Sequence, residues 1–493
     1  MLSGVATRFR KIFGSLSGCR PVRKRPKDLI VIPERINLGI ARKALLLARR
    51  LETGVMAAGG SLVGCARNGG QVTIITLEEG EMEWEPVRRA FAAAGVKETQ
   101  CWQVVVGREE EVLSFLRKLS PELLLVPSPV EDERALFLFS RLVARSPALD
   151  QVKRILGYEL RTPLLPDGLV DVTPYMSFKD GMPGPRPEID LSFSLNQYRS
   201  VSAMRGHGFA EAFLTMTPGH LGLAAEGASI SDMDRDRDPI PFFRGLSLLP
   251  GDGLRQWVNE EEPCPVLILS PHFDDETIGC GGTIARHVDR GDPTAIVFAT
   301  DGREGDPRES DRDLVSGIRK REAREAAAIL GVTVLEFLDR PETRLRPGEG
   351  LEEQIRVILD RTDSRVVYLP SFLENHIDHL ELNRIFYRAI RGRMPEIEVR
   401  LFGLWTPFPP NHIVDISSVV DRKVRAVNRY RSQLTQVDYL SATISLNRYW
   451  SIRFGNPRGY IEAFYSIGSD RYCSLIEELE IDRERFDGKR SID

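Results

Sequence analysis

Apolar runs of β-strand length alternate with polar, helix-forming stretches along most of the chain. In the second half these runs cover residues 265–270, 294–300, 366–370 and 399–405. The stretch 318–330 is rich in Ala, Glu and Arg and ends at Gly331, which is typical of a helix. Strands that alternate with helices predict an α/β fold, with a Rossmann-like, mostly parallel sheet flanked by helices.

The first half repeats this pattern, with apolar runs at 44–48, 72–77 and 123–127. Landmarks shared with the second half follow in the same order: Gly59 and Gly60 with Gly281 and Gly282, Ile74 with Ile296, Lys179 with Lys423, residues 198–200 with 430–432, and 208–213 with 459–464. The Gly and Ile pairs share an offset of 222 residues without a gap. The common order predicts a tandem duplication, so the fold is expected twice.

These patterns divide the chain into five parts. They are a basic amphipathic segment at 1–40, a first α/β domain at 41–213, a linker at 214–262, a second α/β domain at 263–470 and a C-terminal tail at 471–493. The linker mixes Gly, Pro and charged residues.

Composition excludes several classes of protein. The 493 residues carry a net charge of −4 and no basic recognition motif, so nucleic acid is not an expected partner. The six cysteines are scattered without a Cys-x-x-Cys pair, which favours a reducing compartment and argues against both disulfides and a thiolate zinc site. We therefore expect a cytoplasmic protein.

The N-terminus carries one localised feature. No apolar stretch approaches the roughly 18 residues that a membrane-spanning helix requires. Residues 1–28 instead combine apolar positions at helical spacing with clustered Arg and Lys, which is typical of a segment lying on an anionic membrane surface. Two interpretations stay open for this segment. One is peripheral contact with the inner face of the membrane, and the other is a frayed start or a helix docked on the protein's own body.

Two polar clusters of the second half follow strand-like runs and contain three of the seven histidines. One cluster holds His272, Asp274 and Asp275, and the other holds His376 and His379. Loops at the ends of strands line the crevice of α/β sheets, and zinc accepts both imidazole and carboxylate ligands. Either cluster alone is equally well explained as a helix cap or a solvated helix turn. Their conjunction favours a metal site.

Over about residues 262–470 the chain resembles the PIG-L or LmbE-like zinc-dependent N-deacetylases. The resemblance rests on PHFDDE at 271–276, the glycines at 281–282, TDG at 300–302, RKRE at 319–322, HIDH at 376–379, VDI at 414–416, Lys423, SQ at 432–433 and EAF at 462–464. It implies an enzyme that removes acetyl from an N-acetylated glycan or glycoconjugate of the N-acetylglucosamine type.

The resemblance also implies roles for the two clusters. His272, Asp275 and His379 are expected to bind Zn2+, with another divalent transition metal as the alternative. Asp274 is expected to take a proton from the metal-activated water. His376 is expected to donate to the tetrahedral oxyanion or to protonate the leaving amine.

Four further residues are candidates for the substrate side of the site. Arg303 and Arg308, in the polar loop after residue 302, are expected to bind a hydroxyl or phosphate, with an exposed charged loop as the alternative. Asp378 is expected either to orient a histidine or to contact substrate, with a solvent-facing position as the alternative. His412 either reaches over the cleft or is a surface histidine.

Three other charged residues are assigned to support. Arg319 and Glu322 are interpreted as part of the structure behind the site, with a helix-surface ion pair as the alternative. Glu276 lies next to a helix start, where a carboxylate suits the helix dipole, so a structural role is favoured over catalysis.

The first domain lacks the residues that the resemblance assigns to the site. Its counterparts are Arg50 for His272, Glu52 for Asp274, Thr53 for Asp275, Glu133 for His376 and Leu136 for His379. An Arg and a Leu cannot replace imidazole ligands, so we expect a degenerate domain without metal. Two alternatives to sugar deacetylation stay open: hydrolysis of a non-sugar amide, and a non-catalytic scaffold in which both copies bind a partner.

Overall fold

Two eight-stranded sheets, each flanked by helices, make up the computed structural model of this protein. The structure describes residues 34–38, 41–77, 84–96, 99–103, 109–128, 131–144, 152–164, 166–182, 186–204, 208–225, 255–256, 264–306, 308–348, 350–374, 376–392 and 397–490. The chain divides into two units at residues 236 and 237, with one sheet in each.

The first unit alternates strands and helices from its second strand to its sixth. Its strands are β1 Glu34–Arg35, β2 Lys43–Ala48, β3 Gln71–Thr76, β4 Thr99–Gln103, β5 Leu123–Pro127, β6 Arg154–Tyr158, β7 Gly168–Asp171 and β8 Ala210–Met216. Its helices are α1 Leu51–Arg67, α2 Trp84–Ala93, α3 Glu109–Leu119, α4 Glu133–Ala144, α5 Met176–Asp180, α6 Arg186–Met204 and α7 Pro218–Ala225, and a 3-10 turn covers Thr173–Tyr175.

The second unit has the same alternation. Its strands are β9 Arg255–Gln256, β10 Val266–Ser270, β11 Thr294–Thr300, β12 Val334–Arg340, β13 Val366–Pro370, β14 Glu398–Phe402, β15 His412–Asp415 and β16 Ile461–Gly468. Its helices are α8 Asp275–Arg290, α9 Arg312–Leu330, α10 Leu351–Thr362, α11 Ile377–Ile390, α12 Val420–Val427, α13 Arg431–Leu434, α14 Tyr439–Arg453 and α15 Ser469–Arg490.

The strand order of the two sheets is the same. It reads β4-β3-β2-β5-β6-β8-β7-β1 in the first unit and β12-β11-β10-β13-β14-β16-β15-β9 in the second. In each sheet only the eighth strand of its unit, β8 or β16, pairs antiparallel with its neighbours. Long apolar strands such as β10 are buried on both faces because helices cover the sheet. The predicted fold class is therefore confirmed, and the fold is present twice in tandem.

A buried charged cluster lies behind the second sheet's first long helix. Lys423 Nζ donates to Glu462 Oε1 at 2.5 Å, to the carbonyl of Ile278 at 2.8 Å and to Asn447 Oδ1 at 3.0 Å. Glu462 also accepts the N–H of Gly282 at 2.9 Å. A Cβ at Gly282 would collide with its neighbours, so the glycine permits this close approach.

The first unit contains the same cluster at the matching positions. Lys179 Nζ pairs with Glu211 Oε1 at 2.7 Å and donates to the carbonyl of Met56 at 2.6 Å and to Asn196 Oδ1 at 2.7 Å. Glu211 accepts the N–H of Gly60 at 2.9 Å. The glycine and lysine pairings expected from the sequence thus occupy equivalent places in the two units.

One expected pairing is wrong. Asn196 on α6 and Asn447 on α14 bind equivalent lysines, so α6 corresponds to α14. Residues 198–200 lie within α6, whereas 430–432 lie at the start of α13, ahead of α14. The matching residues suggested a wrong alignment because the second unit has an additional short helix, α13, between α12 and α14, which correspond to α5 and α6.

The ordered units extend past the expected domain boundaries. After residue 213 the first unit continues through β8 and α7, whose Leu221 and Ala224 are buried. In the second unit β9 pairs with β15 from within the expected linker, and α15 buries Tyr472 and Leu475 beyond residue 470. Residues 1–33, which hold most of the basic N-terminal segment, lie outside the described residues. Among the helices that are described, none is both long and apolar enough to cross a bilayer.

Candidate metal centre and active site

The two polar clusters meet at one edge of the second sheet. Strands β10 and β13 are parallel neighbours, with Ile268 opposite Tyr368, so their carboxyl ends lie side by side. The loop after β10 carries His272, α8 begins at Asp275 directly after that loop, and α11 after β13 carries His379. The structure therefore brings together the three side chains that the sequence assigned to a metal.

Their donor atoms lie close enough to share an ion. Asp275 Oδ2 is 2.9 Å from His272 Nδ1 and 3.2 Å from His379 Nε2. Ligands of a tetrahedral zinc with bonds of about 2.0–2.1 Å are separated by about 3.3 Å. His272, His376 and His379 also offer ring nitrogens that all lie within 4.8 Å of one another. The cluster can hold a metal ion, and its nitrogen and oxygen donors fit zinc.

In both Asp275 and His272, burial shifts the pKa one way and the neighbouring charged groups shift it the other way. Burial opposes ionisation of Asp275, yet His379 and His272 hold its pKa well below the usual value. Burial by itself would lower the pKa of His272, but Asp275, Asp378 and Glu342 raise it well above the usual value. An ionised carboxylate between two imidazoles is also what a cation at this place would require.

Asp378 lies behind His272 and is completely buried. Its Oδ2 is 3.1 Å from His272 Nε2 and accepts the N–H of Thr343 at 2.7 Å, and its Oδ1 accepts the N–H of Leu345 at 3.2 Å. A carboxylate on the far nitrogen of a ligating histidine fixes the ring orientation. Asp378 therefore orients His272, and this buried position corrects both the expected substrate contact and the solvent-facing alternative.

Asp274 has an unusual backbone conformation. Its φ is 116°, in a region that side-chain-bearing residues rarely adopt, and it is the residue immediately before α8. Its Oδ2 lies 3.6 Å from Arg319 Nη2. Burial raises the pKa of Asp274 well above its usual value, and Arg319 opposes this shift. Arg319 also donates to the carbonyls of Phe273 at 2.9 Å and Gly302 at 3.2 Å, so it holds the loop from behind.

His376 faces the same cluster from the start of α11. Its ring centroid is 4.5 Å from that of His272 and 5.0 Å from that of His379. Its Nδ1 accepts the N–H of Asp378 at 3.2 Å, which caps the helix. Burial, together with His272 and His379, lowers the pKa of His376 to about 3. The neutral ring therefore carries its proton on Nε2.

The two arginines proposed for substrate take up different positions. Arg303 follows the carboxyl end of β11, and its half-exposed side chain donates through Nε to Asp301 Oδ2 at 2.5 Å. Arg308 is more exposed and pairs with Asp306 at 3.0 Å. Arg303 is thus held by Asp301 just after the carboxyl end of β11, whereas Arg308 belongs to the charged surface of the loop.

The structure does not bring His412 to this site. His412 is the first residue of β15, which is four inter-strand spacings from β10, or about 19 Å at about 4.8 Å per spacing. The side chain is buried, with its ring centroid 6.2 Å from that of Phe464. It is neither a residue over the cleft nor a surface histidine, because β15 carries it into the interior beside β16.

Two carboxylates that the sequence left aside, Glu374 and Glu342, lie near the site's histidines, whereas Glu322 bonds elsewhere. Glu374 Oε2 is 3.9 Å from His379 Nδ1, while Oε1 accepts the N–H of Leu404 at 2.7 Å. Glu342 Oε1 lies 3.9 Å from His272 Nε2, and Glu322 accepts the N–H and hydroxyl of Ser432 instead of pairing with Arg319. Glu374 lies two residues before His376 and was detectable from the motif. Glu342 follows β12, far from any motif, and had no sequence signal.

Comparisons with known proteins find that the second unit is similar to deacetylases. Residues 267–390 match the family model described as PIG-L: GlcNAc-PI de-N-acetylase. A diacetylchitobiose deacetylase of Thermococcus kodakarensis is 29% identical over 189 residues, which span 35% of this chain and 70% of that protein. A probable N-acetyl-alpha-D-glucosaminyl L-malate deacetylase 2 of Bacillus cereus is 28% identical over 183 residues, which span 34% of this chain and 83% of that protein. A solved structure of the N,N'-diacetylchitobiose deacetylase from Pyrococcus horikoshii aligns with 24% identity over 42% of this chain and 85% of that chain, at a TM-score of 0.38.

Proposed function

Because residues 267–390 match the PIG-L family model, we propose that the second unit is a metal-dependent N-deacetylase acting on an N-acetylglucosamine-type conjugate. The observation that carries the proposal is one carboxylate oxygen, Asp275 Oδ2, lying within 3.2 Å of two imidazoles at the ends of adjacent parallel strands. The relatives named above as deacetylases support the reaction class.

We assign the metal as Zn2+, held by His272, Asp275 and His379, with another divalent transition metal as the alternative. Two imidazoles and one carboxylate are a known ligand set of catalytic zinc sites, which keep a position open for water or substrate. When bound, zinc supplies a nucleophilic water at neutral pH and polarises the acetamide carbonyl.

Asp274 is the general base in this proposal. It lies on the loop that carries His272 and directly precedes Asp275, and Arg319 lies 3.6 Å from its side chain. A buried carboxylate whose pKa is raised retains a proton more readily than an exposed one, which suits a group that must take a proton and return it. The proton passes from the attacking water to Asp274 and then to the nitrogen of the leaving amine as the C–N bond breaks.

His376 is the hydrogen-bond donor in this proposal. Because its Nδ1 accepts from the backbone of α11, its Nε2–H is the atom that faces a bound acetamide. A donor at this position stabilises the oxyanion that forms when water adds to the carbonyl carbon. Because the ring is neutral, the proton for the departing amine comes from Asp274 and not from His376.

The substrate class is extended from the names of the relatives. Diacetylchitobiose and N-acetyl-alpha-D-glucosaminyl L-malate both contain an N-acetylated amino sugar. We propose the same acetylated sugar for this chain, with the attached group left to experiment. Arg303 is the candidate contact for a sugar hydroxyl or an attached anion, because it lies where β11 ends at the crevice.

We propose that the first unit is a degenerate copy that holds no metal in this manner. At the matching positions, Arg50 precedes α1 as its exposed cap, and Leu136 is buried within α4. Neither side chain offers an imidazole donor. The unit nevertheless keeps the Lys179 and Glu211 cluster of the shared fold.

Acetate release from a panel of N-acetylglucosaminides tests the proposal. The full chain would be loaded with zinc and assayed on N-acetylglucosamine, diacetylchitobiose and conjugates with inositol, malate or lipid groups. We expect acetate from at least one of them and its loss in Asp274→Asn. The matched control is Asp289→Asn, which removes an exposed carboxylate paired with Arg422 and should leave release unchanged. Acetate release from simple non-sugar amides alone would overturn the assignment of a sugar substrate. Absence of acetate release from every amide would overturn the proposal that the protein is an enzyme.

A further inference from the structure

The Glu276 carboxylate, fully buried beneath the loop after β10, receives hydrogen bonds from that loop and from a distant tyrosine. Its Oε2 accepts the backbone N–H of Asp274 at 3.2 Å and lies 3.4 Å from Ser270 Oγ. Its Oε1 accepts from Thr277 Oγ1 and Tyr430 Oη, each at 2.5 Å. The Asp274 N–H, Thr277 and Tyr430 donate to the carboxylate, so both of its oxygens are needed as acceptors. Ser270 donates its hydroxyl to the carbonyl of His272 at 2.8 Å.

One of these contacts holds the unusual backbone of Asp274 in place. A residue with a side chain at φ 116° persists only when its surroundings fix it. Glu276 fixes the N–H of Asp274, and Tyr430, 154 residues farther along the chain, fixes Glu276. The strained conformation is thereby tied to the body of the second unit.

The first unit provides an internal comparison. At the same offset of 222 residues, Ser270 becomes Ala48 and Glu276 becomes Gly54. A Cβ at Gly54 would lie 2.4 Å from Ala48 Cβ, so no side chain fits there. Helix α1 already begins at Leu51, whereas α8 begins at Asp275, which is two residues later in the matched numbering. Where the catalytic cluster is missing, the same stretch is ordinary helix.

This contrast separates Glu276 from the parts that serve the fold. The buried Lys423 and Glu462 pair has a full counterpart, Lys179 and Glu211, in the first unit. The carboxylate of Glu276 has none. Glu276 is present only in the unit whose helix begins two residues later. We therefore assign Glu276 to the loop before that helix and not to the sheet.

We propose that Glu276 is a positioning residue that holds Asp274 in its strained conformation for proton transfer, with Tyr430 as its anchor. The catalytic consequence rests on the proposed deacetylase function. The mechanical part does not, because it concerns only how the loop is held. Glu276 touches no reacting atom and acts through Asp274.

The kinetic test uses Glu276→Gln and Tyr430→Phe in the zinc-loaded full chain. An amide has one donating end, so Gln must point an N–H at a donor on one side of the carboxylate, and the loop shifts. We expect kcat to fall about 100-fold in Glu276→Gln and less in Tyr430→Phe, with KM and zinc content unchanged. An unchanged kcat, or loss of zinc from folded Glu276→Gln, would overturn the proposal.

The matched control for the tyrosine is Tyr368→Phe. The Tyr368 hydroxyl is also fully buried and contacts His287 Nε2 at 3.0 Å and Arg400 Nη1 at 2.6 Å, below the carboxyl end of β13. This variant should lose stability without losing kcat. Equal losses of kcat in Tyr368→Phe and Tyr430→Phe would mean that any buried hydroxyl matters, which would contradict a specific anchor.

A second test needs neither substrate nor metal. The loss of stability caused by Glu276→Gln would be measured in metal-free protein in two backgrounds, Asp274→Gly and Asp274→Asn. Both remove the charge, but only glycine removes the strain. In the asparagine background, release of the loop by Glu276→Gln also relieves the strain, and this relief offsets part of the loss. We therefore expect a smaller loss in the asparagine background than in the glycine background. Equal losses would overturn the positioning role, and this result stays readable even if no deacetylase activity is found.

Discussion

Replacing Asp274 with glycine should leave the second unit more stable than replacing it with asparagine, and both changes should abolish its activity. The φ of 116° at Asp274 is costly for any residue with a Cβ, typically by about 1–3 kcal/mol. Glycine relieves that strain but gains conformational entropy in the unfolded chain, which costs about 0.4–1 kcal/mol. The net gain is about 1 kcal/mol relative to Asp274→Asn, which removes the same charge and keeps the Cβ.

Urea-dependent hydrogen exchange, followed on peptides from residues 264–306, measures this difference without interference from the first unit. The protein would be kept free of metal by a chelator, so that zinc binding cannot contribute to stability. Both variants should lose acetate release, because neither retains the carboxylate. If Asp274→Gly is no more stable than Asp274→Asn, the strain assigned to this backbone does not exist and the reasoning is refuted.

Three further outcomes test other parts of the structure. Asp275→Asn should lose zinc at chelator concentrations that leave the wild type loaded, as atomic absorption would show; retained zinc would contradict the ligand assignment. Lys423→Met leaves Glu462 as an uncompensated buried charge and should destabilise the second unit by about 3–5 kcal/mol in urea unfolding, whereas removing both charges should recover part of the loss. Against the effect of burial, a hydrogen bond from His287 lowers the pKa of Asp292 to about 2. The stability from this pair is therefore present above about pH 4 and lost as the pH falls towards 2, and Asp292→Asn should abolish that part of the acid sensitivity without affecting stability from other groups.

The chain's periodicity predicted the sheet because local pattern and tertiary burial agree there. Strands β10 and β13 are apolar except at Ser270 and are buried at every position. The parallel neighbours that follow from alternating strands and helices then place His272 beside His379. The repeat was also visible, because glycines at a close helix contact and a buried lysine tolerate few substitutes.

What the sequence could not show depends on distant parts of the chain. Three matching letters at 198–200 and 430–432 suggested an equivalence that the packing of Asn196 and Asn447 excludes. His412 looked exposed after a proline pair, but β15 buries it. Glu342 reaches His272 only because β12 ends beside the site. Such contacts have no local signature, since they arise from strand order.

The sequence did not predict the position of Asp378, which could orient a histidine, contact substrate or face solvent. Only the backbone N–H groups of Thr343 and Leu345, contributed after β12, fix its carboxylate behind His272. Helical spacing predicts which residues share a face of α11 with Asp378, but it does not predict which other part of the chain packs against that face. The tertiary structure supplies that answer.

The most direct test of the central claim is a crystal structure of the zinc-loaded full chain with anomalous data collected at the zinc edge. We expect one peak bonded to His272 Nδ1, Asp275 Oδ2 and His379 Nε2 at about 2.0–2.2 Å. A peak at other residues of the second unit, or none in crystals of protein that carries zinc, would contradict the metal centre on which the proposed hydrolysis depends.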